Sequence, residues 1–448
     1  MRKQEGAFGD EIGNKRNVFS FRILADALEL STAQGLDTKL GIFSRTNDIA
    51  LEKLVRKTTN GREEIMKKIS IYVALATCVA FLGGLSVQAY AQAKEPYKIG
   101  AILSLTGYLS WLGEYQKKGA ELKVEMINKA GGVNGRPIKI VVYDDQSSPE
   151  TGTKVAQRLI SKDKVIALQG TGSVPVSAAV SSVANKWKIP VILQSGYHPS
   201  EKETFTFNNA HKTSYAFARP LMFFQKKGIQ RVALLMPIGP LGELGSRMAR
   251  KYAPKYKVEI LGEEKFDVKT PDVTTQLAKL RTLKPQAIMS FATGEPAALV
   301  ARNMAQMGMN IPLVVSHGNA NPGFLKLVSQ SPIMVIVPAG KIMDPQAISS
   351  NDPTREVIME FAKAYQEKYG EPANYYAGQQ ADAVALTAEA LKISKSGDPV
   401  KLRDAIESIK GFPGCNGVYN LSPTEHQGTG LNDMILLTIK NGKWQALD

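Results

Sequence analysis

From residue 97 onward the chain alternates short apolar runs with amphipathic stretches, and this alternation constrains the fold more than any other feature. Strands separated by helical patterns of about 10–15 residues indicate βαβ units, whose strands are parallel. Eight such runs are too many for one small domain, and we therefore predict an α/β fold with two lobes. The runs are 97–104, 138–143, 165–168, 191–193, 232–236, 258–261, 287–291 and 313–315.

The stretches between these runs show the periodicity of helices with one buried face. The last third of the chain is richer in helix, at 352–369, 379–392 and 400–409, and closes with strand-like runs at 417–421 and 434–439. The earlier helical stretches are 115–130, 151–161, 176–186, 244–251, 273–283 and 297–307.

An apolar segment precedes this regular part. Met66-Lys67-Lys68 is a short positive region, residues 69–87 are mostly apolar, and small residues flank the possible cleavage sites after Ala91 and Ala93. These are the parts of a secretory signal, so we expect export to the periplasm. Residues 1–65 stand before the signal. We hypothesise that translation starts at Met66; the alternative is a genuine cytoplasmic extension.

Charge and cysteine content exclude several classes of function. Residues 94–448 carry 43 Lys and Arg against 31 Asp and Glu, a net charge of +12, but the basic residues are scattered singly or in pairs. Nucleic-acid binding favours a clustered basic stripe, so we expect no nucleic-acid partner. Cys78 and Cys415 are too few for a disulfide framework or a metal site. We expect no metal and no cofactor, and interpret Cys415 as a partly buried structural thiol.

Catalytic motifs are weak. Gly239-x-x-Gly242-x-x-Gly245 follows a strand and opens a helix, but it lacks the G-x-G start of a dinucleotide loop. Asp144-Asp145 at a strand end is typical of a solvated turn. The sequence has no G-x-S-x-G, Walker A or H-E-x-x-H pattern. We therefore predict a binding protein and not an enzyme.

The expected binding site lies at the carboxyl ends of the strands, where open α/β sheets hold their ligands. Ser173 precedes a helix that contains Pro175, so its hydroxyl and the free amides of the first turn could hold a carboxylate. The alternative is a helix cap and nothing more. Trp111 and Tyr115, on a glycine-bearing loop, could close over an apolar ligand group or simply pack. The strand-end loops are 104–115, 170–174, 194–199, 237–245, 293–296 and 316–322.

Three stretches carry a resemblance to a known family. Residues 105–120, 128–138 and 142–145 resemble the periplasmic leucine/isoleucine/valine-binding proteins of ABC importers, and the likeness extends over residues 95–448. The resemblance implies the type I periplasmic-binding fold, with two Rossmann-like lobes, parallel-type central sheets and three hinge crossings. It also implies that hinge closure traps the ligand and that the closed form docks on a membrane permease. We expect the protein to be a monomer.

The implied boundaries are as follows. Residues 94–211 and 342–420 form lobe 1, and residues 212–341 and 421–448 form lobe 2, with crossings near 210–213, 338–342 and 419–427.

The resemblance also assigns site residues. The family binds its ligand carboxylate at the start of one helix of lobe 1 and in the next strand-end loop. The family's apolar or aromatic wall matches Trp111 and Leu112. The matching carboxylate positions are Thr171, Ser173, Ser195, Gly196 and Tyr197.

The second lobe departs from the family pattern. Amino-acid binders place an acidic residue after the strand at 313–315, where His317 stands here, and Leu241 occupies a position that is often Tyr. Glu295, on the neighbouring loop, could take over the ligand ammonium. The ligand is therefore either an amino acid held through Glu295 or a carboxylate without an ammonium, such as an aromatic or aliphatic acid.

We accordingly expect an exported solute-binding protein for a small amino acid or related carboxylate. The alternative on the same fold is a ligand sensor of the amide-sensing regulator type.

Overall fold

The computed structural model describes residues 95–447 together with Met66 and Ser70. Apart from those two residues, the predicted secretory signal, with cleavage after Ala91 or Ala93, lies outside this range, and so does the extension 1–65. Among the described residues no helix is long and apolar enough to cross a membrane.

The amino-terminal half of the described range builds a parallel sheet. Its order is β2-β1-β3-β4-β5, and every neighbouring pair is parallel. The strands are β1 (Tyr97–Leu103), β2 (Ile138–Asp144), β3 (Ala167–Gly170), β4 (Val191–Leu193) and β5 (Thr206–Asn208).

A second sheet forms the core of the other lobe. Its order is β14-β13-β10-β9-β8-β6-β7, parallel from β10 to β7 and antiparallel at β13 and β14. Its strands are β6 (Arg231–Pro237), β7 (Glu259–Phe266), β8 (Ala287–Ser290), β9 (Leu313–Val315), β10 (Val335–Gly340), β13 (Met434–Lys440) and β14 (Lys443–Ala446). A small ribbon, β11 (Phe412–Pro413) and β12 (Val418–Tyr419), lies between the last helix and β13.

Helices connect the parallel strands, as the alternating pattern predicts, and several begin with a side-chain cap and a proline. The Ser148 hydroxyl, just before Pro149, accepts a hydrogen bond from the N–H of Thr151 at 3.4 Å. This bond gives a partner to an N–H of the first turn that the helix itself leaves unpaired. The helices are α1 (Ser110–Lys129), α2 (Pro149–Ser161), α3 (Val174–Trp187), α4 (Tyr215–Lys226), α5 (Pro240–Tyr252), α6 (Thr274–Thr282), α7 (Glu295–Gln306), α8 (Pro322–Val328), α9 (Arg355–Tyr369), α10 (Tyr375–Ser394) and α11 (Pro399–Ser408).

Both faces of each sheet are buried. Along β6, Ala233 and Leu235 pack into one apolar cluster, whereas Val232 and Leu234 pack into another on the opposite face. Two-sided burial explains why these strands read as continuous apolar runs and not as alternating ones.

Two chain crossings leave their sheets at the carboxyl edge. β5 ends at Asn208, and residues 209–214 lead into α4, which packs against the second sheet. β10 ends at Gly340, and the 3-10 turn Lys341–Met343 leads back, with Ile342 packed among side chains of α9 and α10. The carboxyl edges of both sheets therefore adjoin the crossings between the lobes.

For the third crossing, expected at 419–427, the contacts of His426 favour a later position. The N–H of Asn208 donates to the carbonyl of His426 at 2.9 Å, and the His426 ring lies 2.8 Å from the carbonyl of Thr206. This stretch is thus bound to the edge strand of the first sheet. We propose that the chain crosses after it, at residues 429–433, and that residues 421–428 belong to lobe 1.

Candidate functional site

The carboxyl edges of the two sheets carry exposed apolar side chains, which is unusual for loops that face only water. Because both edges adjoin the crossings, their loops line the space between the lobes. On the first edge these side chains are Tyr108, Trp111 and Val174, and on the second edge they are Ile238, Leu241 and Val268.

Ser173 is the N-cap of α3. Its hydroxyl accepts the N–H of Val176 at 3.3 Å, and Pro175 occupies the first turn. The loop before it turns sharply, since Gly170 and Thr171 both have positive φ, at 108° and 65°. This turn brings the amino-terminal end of a 14-residue helix to the edge of the sheet, with its partial positive charge directed there.

A chain of hydroxyls supports this loop from below. Thr171 Oγ1 lies 2.5 Å from Ser177 Oγ, and Ser177 Oγ lies 2.7 Å from Ser195 Oγ. Thr171 and Ser177 are fully buried. The chain joins the end of β3, the first turn of α3 and the end of β4, so Thr171 holds the loop in place beside Ser173, which is itself 7% exposed.

The loop after β4 contributes main chain more than side chain. The N–H of Tyr197 donates to Ser195 Oγ at 3.2 Å, whereas the Tyr197 hydroxyl turns away and donates to Glu203 at 2.6 Å. Burial, together with the Glu203 carboxylate, raises the pKa of Tyr197 to about 12. Gly196 is exposed beside Thr213 of the first crossing.

Trp111 and Leu112 begin α1 and have separate roles. The half-exposed Trp111 packs edge-on against Tyr376, with ring centroids 5.4 Å apart, and offers an aromatic wall. Leu112 is buried, and its Cδ2 lies 2.6 Å from where a Cβ on Gly172 would stand. Leu112 therefore supports the loop before α3 from within the fold and does not line the space itself.

On the second edge, Leu241 lines an apolar cavity of about 320 Å³. This volume is at the lower end of the range for small-molecule sites. The cavity lies above the ends of β6 and β8, and Leu241 is 40% exposed within it. Its walls are Pro237, Ile238, Pro240, Leu241, Val268, Ala292, Thr293 and Pro296.

His317 follows β9, next to that cavity. Its ring packs on Phe291, with centroids 5.8 Å apart, and its Nδ1 is buried with no hydrogen-bond partner among the described residues. Burial is the main cause that lowers the pKa of His317 to about 4, and the nearby His211 adds to the effect. The imidazole is therefore neutral at pH 7.

Glu295 is not brought to the same place as His317. It is the first residue of α7, its side chain is exposed, and its carboxylate pairs with Arg302 at 2.7 Å. Arg302 lies two turns further along the helix, away from the sheet edge. The ion pair thus draws the Glu295 carboxylate away from the space between the lobes.

The base of the space includes residues that sequence reasoning missed. His211, on the first crossing, is buried, and its Nε2 lies 2.6 Å from the carbonyl of Asn416. Its main-chain N–H donates to the Tyr375 hydroxyl at 3.2 Å, and burial lowers its pKa. These contacts join segments about 160 residues or more apart, so no local pattern signals them; the adjacent tyrosines 375 and 376 were the available hint.

The remaining sequence candidates have structural roles. A Cβ on Gly242 would lie 1.7 Å from the Pro237 carbonyl, so the glycine pattern at 239–245 permits close packing of α5 on β6. Asp144 accepts the main-chain N–H groups of Leu105 and Thr106. Cys415, expected to be partly buried, is only 1% exposed, and burial raises its pKa well above the ordinary value.

Comparisons with known proteins identify the family of the chain. A family model described as "Periplasmic binding protein" matches residues 96–443. The chain belongs to this family. Members of the periplasmic binding protein family bind solutes and are not enzymes, so the predicted family and the non-enzymatic role are confirmed.

Individual relatives place the chain within the periplasmic binding protein family. It is 25% identical over 345 residues to Leu/Ile/Val-binding protein homolog 1 of Brucella abortus, covering 76% of this chain and 88% of that one. An extracellular ligand-binding receptor from Rhodopseudomonas palustris shares 26% identity and a TM-score of 0.69, over 79% of this chain and 99% of that one.

A branched-chain amino acid substrate-binding protein of Streptococcus pneumoniae, solved with isoleucine, is 24% identical with a TM-score of 0.65, over 78% of this chain and 98% of that one. This last likeness supports the fold alone. The two-lobed α/β architecture is the type I periplasmic binding fold, as predicted.

Proposed function

We propose that this protein is the periplasmic solute-binding component of an ABC importer, that it binds a small carboxylate between its lobes, and that it delivers this ligand to a membrane permease. The observation that carries the proposal is the amino-terminal end of α3, which is presented at the edge of the first sheet with Ser173 as its cap.

Several forces favour a carboxylate there. The amides of a first helical turn and the helix dipole both favour a negative group. The Ser173 hydroxyl supplies a hydrogen bond, and bonds to a charged group are worth about 1.5–3 kcal/mol. The hydroxyl chain through Ser177 fixes the loop beforehand, so little ordering accompanies binding.

Export is supported by the family and by the segment after Met66. Members of the family act outside the cytoplasm, and the order of positive, apolar and small residues in 66–93 is typical of a cleaved signal. Comparing the amino terminus of the protein from the periplasm with the sequence around Ala91 and Ala93 tests this part. A mature chain that still contained residues 1–65 would contradict it.

Ligand binding is tested by a thermal-shift panel of small carboxylates, followed by calorimetry, because a ligand that binds the folded state raises its melting temperature. We expect Ser173→Ala to weaken binding of the best ligand at least about tenfold. Ser148→Ala is the matched control, since Ser148 caps α2 in the same way before a proline. Both variants lose cap stability, about 1 kcal/mol, but only the first loses affinity. Undiminished affinity in Ser173→Ala would refute the carboxylate cap.

A second candidate ligand is a branched-chain amino acid. The observation in its favour is that the Brucella abortus relative carries the name Leu/Ile/Val-binding protein homolog. In this chain an amino acid needs a partner for its ammonium, and Glu295 is the candidate from the sequence. Glu295 would have to leave Arg302 to serve this role.

A further inference from the structure

The second edge of the cleft has an apolar wall and a neutral histidine where a charged ligand group would need an acid. We propose that the ligand is a carboxylic acid with an apolar, uncharged body and no ammonium group, an alkyl or aryl carboxylate, and that Leu241 and His317 select it. This inference rests on the proposed function, because it takes the carboxylate to lie at Ser173.

The first step concerns Glu295. Its carboxylate lies 2.7 Å from the Arg302 guanidinium, and both side chains are exposed. To bind a ligand ammonium, the Glu295 carboxylate would have to break its ion pair with Arg302 and rotate toward the amino-terminal end of α7. The structure thus gives this carboxylate a partner of its own chain.

Other carboxylates near the crossings are also engaged. Asp433 accepts the N–H of Gly430 at 2.7 Å and lies 3.6 Å from Lys341 Nζ. Asp382 accepts the N–H groups of Cys415 and Asn416. Two exposed carboxylates at the second edge are left to test: Glu243, in the first turn of α5, and Asp267, which accepts the N–H of Lys269 at 2.8 Å beside the cavity-lining Val268.

The second step concerns His317, which stands at the end of the central strand β9. A neutral imidazole can donate or accept a hydrogen bond. It has no negative charge, so it does not offset the free-energy cost of burying an ammonium group. Its unpaired Nδ1 is suited to an uncharged hydrogen-bonding group or a water molecule instead.

The third step concerns the cavity beside His317. Seven of its eight lining residues are apolar, the exception being Thr293, and Ile238 is 62% exposed at its mouth. Burying an apolar ligand body there gains about 25 cal/mol per Å². Burying an ammonium among the same residues would cost free energy, so one surface both favours the first ligand class and disfavours the second.

Matched ligand pairs test the inference. In calorimetry at pH 7.5 the probes are 4-methylpentanoate against leucine and 3-phenylpropanoate against phenylalanine, which differ within each pair in the ammonium group. We expect the acid without an ammonium to bind at least about tenfold more tightly in each pair that binds, a difference of about 1.4 kcal/mol. An amino acid that bound as tightly as its partner, or more so, would overturn the inference.

Variants then assign the selectivity to residues. His317→Glu supplies the missing carboxylate and should shift the preference toward the amino acid at least about tenfold, whereas His317→Gln, which stays neutral, should leave the preference as it is. Glu295→Gln and Glu243→Gln should change acid binding less than about twofold. A large loss of amino-acid affinity in Glu295→Gln would favour the rival ligand class.

The two levels of the proposal fail in different ways. If leucine or phenylalanine binds more tightly than its partner and Ser173→Ala abolishes that binding, the carboxylate site stands and the inference on the second edge is wrong. If a ligand of either class binds with no effect of Ser173→Ala, the carboxylate cap is wrong, and the selectivity of the pair still decides the inference. If no probe of either class binds, both are wrong.

Discussion

The two edges of the cleft are built from the same topology but from different chemistry. Both lie at the carboxyl ends of parallel strands, where loops and helix starts converge. The first edge is a network of hydroxyls in which Ser173, Ser177 and Ser195 fix one helix start. The second edge is an apolar cavity near His317, and the Glu295 carboxylate beside it is paired with Arg302.

This difference assigns each lobe a task. In the proposed function, the first edge holds a charged end that many ligands share, and the second edge contacts the part in which ligands differ. The fold therefore allows ligand selectivity to change in one lobe while the anchor in the other is kept.

The largest expected effect comes from reversing the electrostatics of the first edge. Asp is as good an N-cap as Ser, so Ser173→Asp should keep α3 capped and the protein folded. Its carboxylate would repel a ligand carboxylate about 4 Å away by several kcal/mol at an effective dielectric constant of about 20, so affinity should fall at least about 100-fold. Calorimetry measures the affinity and urea unfolding the stability.

The control for this reversal is Ser148→Asp, which places the same charge on the cap of α2 in the same lobe. We expect it to weaken ligand binding much less than Ser173→Asp does, because Ser148 caps α2 and not the helix at the proposed anchor. If Ser173→Asp bound its ligand normally, the anchor would have to lie elsewhere.

The next largest effect tests whether the hydroxyl chain positions the Ser173 loop or only contributes to stability, as any buried hydroxyl would. Ser177→Ala removes the central hydroxyl of the chain and with it one hydrogen bond each of Thr171 and Ser195, at a cost of about 1–3 kcal/mol in the free energy of unfolding. Ser181→Ala is the matched control: Ser181 is equally buried one turn later in α3, and it bonds to Thr206 at 2.7 Å.

Both serine variants should be destabilised, as measured by urea unfolding. Ligand affinity should fall only in Ser177→Ala, because Ser181 bonds to Thr206 and Glu203 and is not part of the hydroxyl chain that holds the Ser173 loop. Equal affinity in the two variants would show that the hydroxyl chain does not position the anchor.

On the second edge, His317 predicts a dependence of stability on pH. Its pKa is about 4 in the folded protein and 6.5 when unfolded, so the unfolded state binds more protons between these values. Stability should therefore rise as pH increases from 4 to 6.5, with a contribution from His317 of about 2 kcal/mol between pH 4.5 and 7.5.

Urea unfolding of the protein and of His317→Gln at the two pH values measures this contribution as a difference. His211, whose pKa is also lowered, faces His317 and is present in both proteins, so its own effect largely cancels. Lys341 and Asp433 act on His211 in both as well. An unchanged pH dependence in His317→Gln would mean that the ring is charged or exposed in the folded state.

Much of the fold follows from sequence because its strands are local apolar runs that are buried on both faces. α4 was missed, since Pro220 lies inside it and interrupts the helical pattern; burial of Phe217, Leu221 and Phe224 outweighs the lost amide hydrogen bond. The sequence does not predict β5 as a strand because it is only three residues long. It does not predict β10 either, because this strand ends where the sequence predicts a crossing.

The site was less accessible to sequence reasoning. The Ser173 cap was predictable, because a capping residue and a proline are local signals. The direction of Glu295 was not, since it depends on an ion pair with Arg302, and the outward turn of Tyr197 depends on Glu203. Side-chain direction is decided by tertiary partners, and the ligand class depends on that direction.

The smallest expected effect measures the apolar side of the comparison directly. Leu241→Ala removes an apolar side chain that is 40% exposed in the cavity, and we expect ligand affinity to fall roughly fivefold, about 1 kcal/mol, with little change in stability. Leu327→Ala is the control, since Leu327 is 41% exposed on α8 of the same lobe, outside the cavity lining. Calorimetry with 4-methylpentanoate and acetate sharpens the result: the loss should appear for the longer acid and vanish for acetate, which has no body to reach Leu241. An equal loss for both acids would mean that Leu241 shapes the anchor and not the apolar wall.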